Sequence, residues 1–66
     1  MELLVIKAGT DYIRIKEGTY AAVGLNQASV FPLEQLEQVQ HHLICVQKNG
    51  FPRAAVYRLL LTEMPL

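Results

Sequence analysis

Glu37, His41 and Cys45 stand at four-residue steps, and His42 lies beside them. Residues four apart share one side of an α-helix, so this spacing would present a carboxylate, an imidazole and a thiol together. A transition metal accepts those donors. A closed zinc site needs four ligands, however, and the chain has neither a C-x-x-C nor an H-x-x-x-H pair. The preferred reading is a solvated helix face with a His pair and one incidental thiol, so no metal or cofactor is expected. As a nucleophile, Cys45 would need its pKa lowered by a helix N-terminus or a nearby cation. It falls late in its helix, where the dipole opposes a thiolate, and only His41 could assist. With no oxyanion donors to name, no catalytic residue is assigned and a non-enzymatic protein is expected.

Tyr12, Arg14 and Lys16 alternate along a second stretch and would share one strand face, with Arg58 a candidate neighbour on another strand. Sheets that bind single-stranded nucleic acid stack bases on aromatic rings flanked by cations. The six basic and six acidic residues cancel, though, and a domain built for phosphate backbones normally carries a basic excess. Long side chains shielding apolar surface are the simpler reading, and nucleic acid is the weaker alternative. The glycines at 9, 18, 24 and 50 sit at turns and build no phosphate-binding loop.

These residues depend on a few elements for their position. Leu3 to Ile6 is a continuous apolar run closed by Gly9-Thr10-Asp11, too short for a stable helix and read as a buried strand. Tyr12 to Lys16 alternates, with Ile13 and Ile15 on one face, and completes a hairpin. Glu17-Gly18-Thr19 is a turn, and Tyr20 to Val23 a short third strand. The one clear helix begins about Leu33, with Pro32 in its first turn, and ends at Lys48 before the left-handed stop Asn49-Gly50. Leu36, Val39, Leu43 and Val46 form its apolar stripe, with His41 and His42 directed away from it. Ala54 to Met64 reads as either helix or strand, and strand is preferred because a helix there would be apolar nearly all round. The order is β-β-(β)-α-β: an α+β fold with a small antiparallel sheet packed against one amphipathic helix.

The order of a Tyr-containing hairpin, an Ala-x-Val-Phe segment and one polar-faced helix resembles a group of short, uncharacterised bacterial and phage proteins. The matching residues are Val5-Ile6-Lys7, Tyr12-Ile13-Arg14, Ala28-Ser29-Val30-Phe31 and the helix from Leu33, about the first two-thirds of the chain. The chain departs from that pattern with Pro32 at the usual place of a Ser or Thr cap, and with Phe51 to Leu66. The resemblance implies a further short strand at Ala28 to Phe31 and implies no activity.

At 66 residues the chain is a single domain, 1–66, of a size that buries little surface without help. Lone Cys45 leaves no internal disulfide, so an efficient core or a second subunit is needed. Charged residues are 18%, against about 25% typically, and the formal net charge is zero, so little repulsion keeps copies apart. Met1 to Ala8 has Glu2 where an export signal has basic residues, and no stretch reaches membrane-span length, so a cytoplasmic setting is expected. One helix shelters one sheet face. The other face is expected to carry Leu3 or Leu4, Val5 or Ile6, and Val56 or Tyr57 with Leu60, beside Arg14, Lys16 and Arg58, and to meet a second copy as a homodimer or another protein partner.

Overall fold

The computed structural model describes residues 1–66. Five antiparallel strands and one helix follow in the order β1 (Glu2–Ala8), β2 (Asp11–Lys16), β3 (Thr19–Val23), β4 (Val30–Pro32), α1 (Leu36–Lys48) and β5 (Ala55–Leu60). The fold is therefore the α+β arrangement expected; the short strand before the helix lies at Val30–Pro32 rather than Ala28 to Phe31, and the final segment is a strand.

β1 is the middle of the sheet. Along one edge it pairs with β5 over its whole length, from Glu2↔Leu60 to Lys7↔Ala55. The other edge is divided: β4 takes Leu3, Leu4 and Val5, and β2 takes Lys7 and Ala8. A strand flanked on both edges, with a helix over one face and side chains of its neighbours around it on the other, has little use for alternation. That is why Leu4, Val5 and Ile6 are consecutive and all buried.

Beyond Tyr12, β2 leaves β1 to pair with β3, and the chain entering β4 fills the gap. Ser29 holds it there. Its N–H donates to the Ile13 carbonyl (3.2 Å), its Oγ accepts from the Ile15 N–H (2.8 Å), and the same hydroxyl lies 3.3 Å from the Ile15 carbonyl, to which it donates. A side chain thus serves the strand where no strand is available.

Both hairpin loops have two residues. Gly9 (φ 64°) opens the first, as a type II′ turn requires of its leading position. The second, Glu17-Gly18, has positive φ at both residues (50° and 76°), the pattern of a type I′ turn, and Glu17 is the only non-glycine residue so placed.

The helix covers one face. Val39 and Val46 are fully buried and Leu43 half-buried, and they pack with Leu4, Ile6, Ile13, Ala54, Phe31 and Phe51. The start differs from the sequence expectation. Pro32 closes β4, Leu33–Gln35 forms a single 3₁₀ turn, and Leu36 is 45% exposed. Leu36 falls before the helix has swung over the sheet, so the stripe makes its contact from Val39 onward. The end is as expected. Gly50 (φ 105°) reverses the chain, and the Phe51 N–H donates to the Val46 carbonyl at 3.3 Å, the closure of a Schellman motif. Gln47 then fastens the next segment, its amide donating to the Ala54 carbonyl at 2.9 Å.

Two substitutions check this account by chemical denaturation. Ser29→Ala strands the part-buried N–H and carbonyl of Ile15, and a loss of about 1–3 kcal/mol is expected. Glu17→Asn relieves a left-handed non-glycine residue in a turn that favours Asn-Gly, and a gain of up to ~1 kcal/mol is expected.

Candidate interaction face of the sheet

Strand register settles which side chains share a face, because directly opposed residues point the same way. Leu4↔Arg58 and Ile6↔Val56 place Val56 and Arg58 on the helix side, and Glu2↔Leu60 places Leu60 there too. Leu3↔Leu59, Val5↔Tyr57 and Val5↔Val30 gather Leu3, Val5, Tyr57, Leu59 and Val30 on the helix-free side.

The sequence expectation is corrected here. Leu3, Val5 and Tyr57 belong to the helix-free face, but Val56 and Leu60 do not. Val56 packs against the core, and Leu60 stands 66% exposed on the helix side. Arg58 likewise leaves the group with Tyr12, Arg14 and Lys16. It bridges Glu2 at 3.5 Å on the helix side, and its strand is separated from β2 by β1. The reason is parity: Ala54 to Leu61 is apolar at odd and even positions alike, and only pairing with β1 chooses between them.

The helix-free face has two halves. The apolar half runs across β4, β1 and β5. Val5 is fully buried at its centre yet lies outside the core cluster on the helix side. Around it Val30 is 46% and Tyr57 52% exposed, with Leu3 and Leu59 half-buried. The other half belongs to β2 and β3 and carries Tyr12, Arg14 and Lys16. Lys7 joins the halves. Its Nζ lies 5.3 Å from the Tyr12 ring centroid and 5.6 Å from that of Tyr57, within cation–π range of both. The Lys7 ammonium therefore serves two aromatic rings from two different strands.

No enclosed cavity accompanies this face. A shallow depression of about 290 Å³ lies against Arg14, Lys16, Glu17, Thr19 and Ala21, and one of about 540 Å³ against Met1, Leu61, Thr62 and Glu63. Both are open to solvent.

The helix residues with candidate chemistry are on the other side of the molecule. His41 and Cys45 are exposed, and no three His, Cys, Asp or Glu side chains converge as a metal site requires. His42 is not turned away from the sheet as the stripe suggested. It stacks on Phe31 of β4, ring centroids 5.6 Å apart and planes at 27°. Cys45 lies near enough to Tyr20 of β3 to act on its phenol, a neighbourhood that periodicity along either segment could not reveal.

Comparison with known proteins adds no assignment: no family model, curated protein or solved structure matches the chain.

Burial, with the Cys45 thiol beside it, raises the Tyr20 phenol above its ordinary value of 10.0. A folded state that keeps this proton after the unfolded chain has released it loses stability as pH rises above about 10, and loses nothing below. In an ultraviolet titration of the folded protein, a tyrosine ionising above the ordinary phenol range is expected, and Cys45→Ala should bring that step downward.

Proposed function

We propose that the protein is a non-enzymatic interaction module that self-associates through the apolar half of its helix-free sheet face. The observation that carries the proposal is the uncovered apolar patch around buried Val5, with Val30 and Tyr57 half-exposed, and the total exposed area is in keeping with it. The accessible surface is 5019 Å², while a compact monomer of 7.4 kDa exposes about 4,200 Å². The surplus is about 800 Å². Leu61 to Leu66, which run on past β5, hold part of it. Shape agrees: the radius of gyration is 12.0 Å, against about 10.8 Å for a compact chain of this length.

Chemistry supports a second copy as the occupant. Val30, Tyr57, Leu3 and Leu59 form a patch around buried Val5, and the formal net charge of zero sets up little repulsion between copies. A cytoplasmic setting is part of the proposal. No helix is long and apolar enough to cross a membrane.

Val30→Asp tests it. Val30 is half-exposed on short β4, so the fold tolerates the change, whereas a carboxylate at an apolar contact must be desolvated. The dissociation constant, read by light scattering across a concentration series, is expected to rise at least about tenfold. An unchanged constant in a folded variant counts against this face.

A second reading has its own observation: Lys7, Arg14 and Lys16 stand on this face with Tyr12 and Tyr57, while Glu2 and Arg58 pair on the other side. Cations beside aromatic rings suit single-stranded nucleic acid. Under this reading, Arg14→Ala with Lys16→Ala weakens binding of a labelled oligonucleotide and flattens its dependence on salt. Wild-type protein that shifts no oligonucleotide at low salt removes it.

A further inference from the structure

We infer that a second copy of the chain also joins edge to edge through β5, antiparallel across a two-fold axis at Tyr57, so that two five-stranded sheets become one. This adds a contact to the self-association proposed above but stands on a different observation, the phase of the hydrogen bonds along β1 and β5.

Met1 and Leu61 exchange both main-chain bonds: the Met1 amine donates to the Leu61 carbonyl at 3.1 Å, and the Leu61 N–H donates to the Met1 carbonyl at 2.8 Å. The ladder runs without a break from there to Lys7↔Ala55. Hydrogen-bonded and non-hydrogen-bonded pairs alternate in an antiparallel ladder. Leu59, Tyr57 and Ala55 therefore turn their N–H and carbonyl groups toward β1, and Val56, Arg58 and Leu60 turn theirs outward. No strand lies beyond β5 to receive them.

An open edge is a template for another strand, and proteins ordinarily blunt it with proline, a bulge or repeated charge. Over Ala55–Leu60 there is no proline and no interruption of register, and the single charge, Arg58, is drawn back toward β1 by Glu2. The other free edge, β3, is a weaker template. Lys16↔Thr19 closes its two-residue turn and so is a hydrogen-bonded pair, which leaves only Tyr20 and Ala22 directed outward.

The edge fits a copy of itself. Pairing has to match outward groups with outward groups, which admits only alignments centred on a residue. Centring on Arg58 sets two guanidinium groups directly opposite each other, which is unfavourable. Centring on Val56 or Leu59, or further toward either end, opposes three β5 residues of each copy at most, where Tyr57 opposes five. Tyr57 on the axis uses the strand as it stands. Val56 then meets Arg58 of the second copy, Ala55 meets Leu59, and the two tyrosines form a cross-strand aromatic pair. The two Val56–Arg58 pairs supply four main-chain hydrogen bonds.

The test uses proline by parity, on the full chain. Arg58→Pro removes an outward N–H while leaving the ladder to β1 whole, and is expected to halve the mass of the assembly. Arg58→Ala, which loses the charge and keeps the N–H, is expected to leave the mass unchanged. A second measurement stands even if the proline variant folds poorly. Tyr57→Cys in a Cys45→Ser, Val30→Asp background, which removes association through the face, places two thiols at a non-hydrogen-bonded pair, where Cα atoms are about 4.5 Å apart and a disulfide can form. Mild oxidation is expected to yield a covalent dimer. A folded Arg58→Pro variant of wild-type mass, with no covalent dimer from Tyr57→Cys, overturns the inference. Val30 lies on the opposite side of β1 from β5, so Val30→Asp reports on the sheet face alone. An assembly that Arg58→Pro halves and Val30→Asp leaves intact keeps the edge and removes the face; the reverse removes the edge.

Discussion

The divided edge of β1 is the constraint from which the rest of the structure follows. One strand hydrogen-bonds to three others, with β5 along one edge and β4 and β2 sharing the second. Two strands cannot occupy one edge unless each gives way, so β2 turns out after Tyr12 and β4 stops after three residues. The opening between them would leave Ile15 without main-chain partners, and Ser29 supplies them. The bend brings Ile13 and Ile15 in beneath the helix, and it leaves Tyr12, Arg14 and Lys16 on the helix-free face, facing away from it.

A sheet organised in this way has more apolar side chains than one helix can cover. Only seven residues are buried, six of them in the cluster on the helix side, and the seventh, Val5, is sheltered on the other side by its own neighbours alone. Tyr57 and Tyr12 cover part of that side with Lys7 between them, a contact that stiffens the face without closing it. The β5 edge is open for a related reason. The helix lies over the face of the sheet, so nothing in the chain caps the outward amides. The face and the edge thus share one origin, a small chain with a sheet larger than its cover, and the self-association proposed above would cover both.

Much of this was legible in the residues. The unbroken run Leu3 to Ile6 marks a strand flanked on both edges, the alternation of Tyr12 to Lys16 marks one covered on a single face, and Asn49-Gly50 marks the helix end. Each is a local pattern, legible because its cause is local. The parity of β5 was not, since its apolar residues fill both phases and the choice rests on pairing with a strand some fifty residues earlier, Ile6↔Val56 for example. The same holds for His42, whose stacking on Phe31 depends on how the helix lies over β4, and for Cys45 and Tyr20. Ser29 left the faintest trace: one small hydroxyl residue between Ala28 and Val30, with no periodicity to set it apart.

Sedimentation equilibrium on the unmodified protein, from low to high micromolar concentration, tests most directly whether a second copy covers the exposed sheet. The account requires a mass that climbs with concentration to a whole multiple of 7.4 kDa. A mass of 7.4 kDa that holds across the whole range would contradict it.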